Sequence, residues 1–409
     1  MSRFDPNSLL SGRWPFFVLA FPFVTFLLTT RLSFLPVTDE SLFNLKVIEQ
    51  FASSFPNIDF KDYASSTVPL PYVLWTIVGE AIGFEIWKLR FLTVLVSYLG
   101  GVLFFRMCQD QKLPFPLLKT LLLVFFPYIF LNSFTLYTVN FALFCEVFSL
   151  RYFLRYGESQ SRVDLLCGSI GSLALVLTRQ IDVALPLAVL CFFLVENRLR
   201  ELKSFLGGMV PILGLLLLVM YWGGITPLRY QGGYPLSFKL TQFTLLLSSL
   251  GFYLQPVGLF EGRRLRGWRC VSLFLLAPFL LIFHVPYPKE GLGIVYYGID
   301  FISRAFHNGL AWIGPLYLGW VGGLVFLAIV RSVRESPRPP LAFYVLLSYI
   351  FLSSINPIVY ERYYYFAWPL VLLLLPRDVS ENRSLLLIVL AILVATSISY
   401  VKLMLVFPE

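Results

Sequence analysis

Long apolar stretches separated by short polar segments dominate the chain. A helix that crosses a bilayer needs roughly 20 mostly apolar residues. Stretches close to that length lie at 14–35, 91–106, 115–131, 138–154, 163–178, 182–197, 205–222, 241–260, 268–285, 310–330, 340–356, 363–376 and 384–405. The pattern therefore predicts an all-α fold, a polytopic transmembrane helical bundle of about thirteen spans. The first run, Trp14 to Leu35, is too long for a signal-peptide core and lacks a clean small-residue cleavage site, so it reads as a retained first span. No Gly/Ser linker, fixed-period repeat or soluble domain interrupts the pattern, and residues 1–409 read as one membrane domain.

The polar segments are unequal. Three long ones, 36–90, 223–240 and 286–309, fall on one side of the predicted bundle, with tight loops around Asn132–Asn140, Thr178–Asp182 and Asn356–Tyr364. Segment 36–90, the first outer loop, contains two amphipathic stretches, Ser41 to Phe55 and Pro69 to Phe84, which read as helices lying in the membrane interface. Placing the N-terminus in the cytoplasm puts twenty of the 32 Lys and Arg on the cytoplasmic side, although the loops of the other side are longer. That bias agrees with the positive-inside rule and makes the long loops lumenal or periplasmic.

Composition sharpens this picture. Only 13% of residues are charged while 58% are hydrophobic and 17% aromatic, and the mean hydropathy is +0.77. An ordinary soluble domain carries about a quarter charged residues. The net charge of +9 is spread through short inter-span segments rather than along one face, so it reports topology and not a nucleic-acid surface. Cys108, Cys145, Cys167, Cys191 and Cys270 form no CxxC pair and read as small buried apolar residues. His284 and His307 stand far apart without a carboxylate at ligand spacing, and no metal site is expected. Walker A, GxGxxG, GxSxG and HExxH patterns are absent, which removes the usual equipment of nucleotide, serine-hydrolase and zinc-protease chemistry and leaves no cofactor expected.

Ionisable residues collect at the outer loops. Asp39 and Glu40 are adjacent carboxylates just after the first span. Neighbouring side chains diverge on a helix or turn, so the two divide roles rather than form a coupled dyad. A partly desolvated carboxylate there suits a general base; the plainer alternative is Asp39 as an N-cap. Arg362 stands among Tyr360, Tyr363, Tyr364 and Tyr365. A guanidinium can hold a phosphate through a bidentate fork while the rings pack on sugar or isoprenoid, the alternative being an interfacial anchor paired with Glu361. Arg179, Gln180 and Asp182 occupy a tight outer hairpin, where Arg179 either faces a wet cavity or closes the hairpin against Asp182. Lys61 in the first loop and Gln242 after the second add polar candidates.

Together these features resemble the GT-C superfamily of polytopic glycosyltransferases, which use sugars carried on polyprenyl phosphates such as dolichyl phosphate. Within it the chain is similar to the alpha-1,2-glucosyltransferases that add the terminal glucose of the lipid-linked oligosaccharide in N-glycosylation. Their Met-Asp-Glu-Ile-Phe-His opening resembles Thr38-Asp39-Glu40-Ser41-Leu42-Phe43, and their Ile-Thr-Thr-Pro-Pro-Gly-Leu-Tyr stretch resembles Ser66 to Tyr72. Their Val-Arg-Gln-Thr-Asn segment resembles Thr178 to Asp182, Leu-His-Phe-Pro-Gln resembles Phe238 to Gln242, and Asp-Asn-Arg-His-Tyr-Thr-Phe-Tyr resembles Tyr360 to Phe366. Where the family carries histidines, this chain has Phe43 or Asn44, Lys239 and Tyr363.

The resemblance implies a polyprenyl-phosphate sugar donor, a lipid-linked glycan acceptor, and residence in the endoplasmic reticulum membrane or a bacterial inner membrane. Asp39 and Glu40 are then the catalytic candidates. Arg362 and Arg179 fall to the donor phosphate, and Tyr363, Tyr364, Gln180, Gln242 and Lys61 to the substrate. A transporter or flippase is the rival reading, but the two halves lack visible similarity and the ionisable residues gather at loops rather than mid-span. A non-catalytic assembly subunit would keep the fold without needing Asp39 or Arg362.

Overall fold

The structure, a computed structural model, describes residues 13–36, 39–196, 202–231, 238, 240–264, 294, 313–336, 340–355 and 361–406. Among them there is no strand. The helices are α1 (Trp14–Thr30), α2 (Leu45–Ser54), α3 (Leu70–Ile82), α4 (Ile86–Asp110), α5 (Pro116–Val124), α6 (Pro127–Asn132), α7 (Val139–Ser159), α8 (Arg162–Val176), α9 (Ala184–Val195), α10 (Leu202–Trp222), α11 (Leu240–Tyr253), α12 (Gln255–Arg264), α13 (Ile313–Glu335), α14 (Leu341–Ile355), α15 (Ala367–Leu374), α16 (Arg377–Ser380) and α17 (Arg383–Val406). The run at 268–285 and both histidines lie outside the described residues.

Four helices among these are long and apolar enough to cross a membrane: α4, most of α10, most of α13 and most of α17. Shorter apolar helices accompany them, including α1 and α14. Several expected spans are broken, and proline explains where. The run at 115–131 divides into α5 and α6 because Pro127 has no N–H to donate and holds Phe126 extended. Pro256 likewise separates α11 from α12 within 241–260. The stretch 363–376 opens as a 3-10 turn, Glu361–Phe366, continues as α15 and stops before Pro376, where Leu375 is extended.

The outer faces are apolar: Phe17, Phe21 and Leu28 on α1, Leu217 and Met220 on α10, and Ile388 and Ile398 on α17 are all exposed. Contiguous apolar stripes on several helices are what lipid, and not water, accepts. Cys191 is also exposed on α9, against the expectation that every cysteine is buried, while Cys108 is buried and Cys145 and Cys167 are half-buried. Because lipid tails are as apolar as leucine, helix association here depends on close packing. The tightest pair is α11 with α13. A Cβ at Gly251 would meet the Leu318 carbonyl oxygen, and one at Gly322 would meet that of Leu247, so only glycine admits the approach.

The first loop has a core of its own. Val47, Ile48 and Phe51 of α2 pack with Tyr63, Val68, Tyr72, Trp75 and Trp222, all buried. Burying such side chains contributes roughly 1.5–3 kcal/mol each where water is the alternative. Segment 36–90 is thereby a packed layer clamped on one end of the bundle rather than a solvated loop. Lys119 of α5 is buried, donating from Nζ to the Leu372 carbonyl (3.0 Å) and Ser380 Oγ (3.1 Å).

Candidate active site

At the C-terminus of α1 the chain reverses through two left-handed residues, Arg31 (φ 52°) and Leu32 (φ 55°). Each such non-glycine residue costs roughly 1–2 kcal/mol, and what holds them here is Arg90, in the first turns of α4. Its Nη1 donates to the carbonyls of Leu32 and Phe34, both at 2.8 Å. The rest of the guanidinium grips Glu40 bidentately, Nε to Oε1 at 2.9 Å and Nη2 to Oε2 at 2.6 Å, and the Phe34 ring lies 3.8 Å below it. Glu40 Oε1 also accepts the Leu136 N–H at 2.9 Å, and both side chains of the pair are fully buried. Glu40 thus ties the loop to two other elements, the start of α4 and the segment before α7.

Asp39 is half-buried and sits immediately ahead of this anchor, at the head of a π-helical turn, Glu40–Asn44. Its side chain makes no capping bond to that turn, so the N-cap alternative does not describe it. The polar path continues inward. Tyr72 donates to Asn44 Oδ1 at 2.8 Å and shares its hydroxyl with Ser65 and Thr67, each 3.0 Å away. Burial pushes the neighbouring Tyr63 hydroxyl well above the usual tyrosine range, which keeps it a neutral donor to the Thr67 carbonyl.

Arg179, in the α8–α9 hairpin, is the second buried guanidinium at this end, 8% exposed. Its charge reaches Tyr72 on one side. On the other, its Nη1 donates to the Tyr365 hydroxyl at 3.2 Å, and the guanidinium lies 5.5 Å and 5.6 Å from the rings of Tyr365 and Phe366. The Asp182 carboxylate makes no hydrogen bond to this guanidinium, and the hairpin closes through the backbone, the Asp182 N–H donating to the Arg179 carbonyl at 3.1 Å. Gln180 spends its amide on loop assembly, donating to the carbonyls of Ser66 (2.8 Å) and Ile225 (3.2 Å). Trp222 Nε1 donates to the Phe60 carbonyl and the Leu228 N–H to that of Lys61, which binds the segment after α10 to the same layer.

The first outer loop, the α8–α9 hairpin, the segment after α10 and the 361–366 turn therefore meet at one end of the bundle. Tyr364 is buried and, with Leu246, Tyr349, Ile350, Ser353, Phe366 and Ala367, lines a small half-open cleft there. Lys61 is exposed at the rim of the first-loop layer. Arg362 and Tyr363 lie on the 361–366 turn and Gln242 in the first turn of α11, but their side chains are outside the described residues. Two contributors were not singled out by sequence reasoning: Arg90 and the buried Glu146 of α7. Both carry the same signal, a charge inside an apolar helix, which is rarely without a function.

No protein-family model and no curated protein matches the chain. Solved structures do resemble it. ArnT from Cupriavidus metallidurans bound to undecaprenyl phosphate matches with a TM-score of 0.55 at 14% identity, over 91% of this chain and 61% of that one. The apo state of the same ArnT gives 0.49 at 16% identity, over 90% and 60%. An oligosaccharyltransferase from Archaeoglobus fulgidus, tethered with an acceptor peptide, gives 0.43 at 14% identity, over 95% and 56%. At scores below 0.5 the last two add nothing to the assignment of fold. The class is a helical membrane protein: among the described residues the fold has helices and no strand, four of the helices are long and apolar enough to cross a membrane, and the fold is that of ArnT. The chain spans about three-fifths of the ArnT length.

Proposed function

We propose that this protein is a GT-C glycosyltransferase that moves a sugar, glucose by its sequence resemblance, from a dolichyl- or other polyprenyl-phosphate donor to a lipid-linked glycan on the lumenal or periplasmic side. The observation that carries this reading is the anchored first loop. A half-buried Asp39 directly precedes the buried Glu40–Arg90 pair, at the bundle end that also bears Arg179, in a fold shared with a protein whose structure contains undecaprenyl phosphate.

In this scheme the donor phosphate sits against Arg179 and Arg362, whose fixed positive charge stabilises the negative charge that develops as the sugar leaves. A phosphate leaving group needs no protonation. Asp39 takes the proton of the acceptor hydroxyl while that oxygen attacks the anomeric carbon from the opposite face, which inverts the configuration through an oxocarbenium-like state. Glu40 works through position: its two oxygens are already engaged by Arg90 and the Leu136 N–H, so it sets where Asp39 stands. Tyr364 borders the cleft beside this site; Tyr363, Gln180, Gln242 and Lys61 are proposed to surround the sugar and acceptor.

The test is transfer of radiolabelled sugar by the purified protein in liposomes, offered a panel of polyprenyl-phosphate sugars. Labelled glycolipid product from one donor is expected. Uptake or binding of donors without product from any of them would sink the assignment and favour a transporter or an assembly subunit.

A further inference from the structure

Below the Asp39 loop lies a second group of acids that the scheme above does not use. Glu146 is seven residues along α7 from Val139, about 10 Å in from the end of that helix. It is 0% exposed, as is Asp182 of the α8–α9 hairpin. All four carboxylate oxygens lack a hydrogen-bond partner, and so does the buried hydroxyl of Tyr349 on α14. The two acids act electrostatically on each other and on Tyr349 and Tyr365. Arg179 acts on Asp182, Tyr349 and Tyr365.

Bare carboxylates cannot stay ionised and unpartnered in such a place; they neutralise or acquire a counter-charge. Among the described residues Arg179 acts on Asp182 but not on Glu146, and it also serves the Tyr365 hydroxyl and ring. Among the described residues two acids then face one guanidinium, a deficit of one positive charge. The atoms offered are all hard oxygens, which suits a proton or an alkali ion rather than a soft metal. No group of three or more His, Cys, Asp or Glu that could hold a metal ion occurs among the described residues. We infer that the Glu146–Asp182–Tyr349 cluster is a binding site for one monovalent cation, a proton or a sodium ion.

The experiment uses the full-length protein in lipid nanodiscs at neutral pH and involves no transfer assay, so its outcome is independent of the glycosyl-transfer reading. If the cation is a proton, the infrared spectrum contains a protonated-carboxyl carbonyl band that shifts in D2O and weakens in Glu146→Gln or Asp182→Asn. If it is sodium, the thermal midpoint in NaCl exceeds that in choline chloride of equal ionic strength by a few degrees, and the same substitutions abolish the difference. Where those variants fail to assemble, Glu146→Asp and Asp182→Glu keep the acid and are expected to move the band or weaken the sodium dependence. A wild-type protein with neither signal, or with signals that every one of these variants leaves unchanged, overturns the site.

Discussion

Two adjacent carboxylates have different surroundings: Glu40 is fully buried and accepts three hydrogen bonds, while Asp39 is half-buried. Glu40 is consumed by Arg90 and the Leu136 N–H, whereas Asp39 stands half-buried beside them. Asp39→Asn should therefore lower transfer on the order of 10²- to 10⁴-fold, the usual worth of a general base, with unfolding behaviour unchanged; equal rates would remove Asp39 from the mechanism. Arg90→Gln is expected to act on stability. It strands a buried carboxylate, at a cost of about 3–5 kcal/mol, and Glu40→Gln strands the guanidinium in the same way. The double substitution should cost less than the sum of the two, because the partners share one interaction; denaturant titration in detergent reads all three.

Among the elements, glycine placement decides which helices can touch. Gly251 and Gly322 sit where α11 and α13 bring backbone against backbone, and an added methyl at either would strike a carbonyl oxygen of the other helix. Alanine at each should cost about 1–3 kcal/mol or more, as overpacking does. Gly157, inside α7, has nothing within 4 Å of an added Cβ. Gly157→Ala should be neutral or stabilise by up to about 1 kcal/mol, since alanine is the better helix former. Thermal unfolding of the three variants side by side checks the contrast, and equal losses would refute this account of the α11–α13 contact.

For the molecule as a whole, the decisive feature is that four separate stretches of chain converge on one end of the bundle and bring Arg179 to the 361–366 turn. Undecaprenyl phosphate should therefore raise the thermal midpoint by a few degrees, as any ligand of the native state does, while undecaprenol, lacking the phosphate, should not. Arg179→Gln is expected to remove most of that rise. A stabilisation that is the same for both lipids would mean the chain binds the isoprenoid alone.

Hydropathy by itself determined the membrane class, the helical fold and most helix positions, since in lipid every backbone polar group must be satisfied within a helix and the apolar runs announce where. The first loop's two amphipathic stretches, 41–55 and 69–84, hold the helices Leu45–Ser54 and Leu70–Ile82, and in the first the apolar residues recur at helical spacing. Breaks at Pro127 and Pro256 were local and readable in principle, yet a window of average hydropathy passes over them. What tertiary structure alone decided is partnership. Arg90 and Glu40 are 50 positions apart, and Arg179 and Tyr365 are 186 apart. No local spacing encodes such contacts; they exist because packed helices carry distant segments to the same end, where buried charge must find its complement.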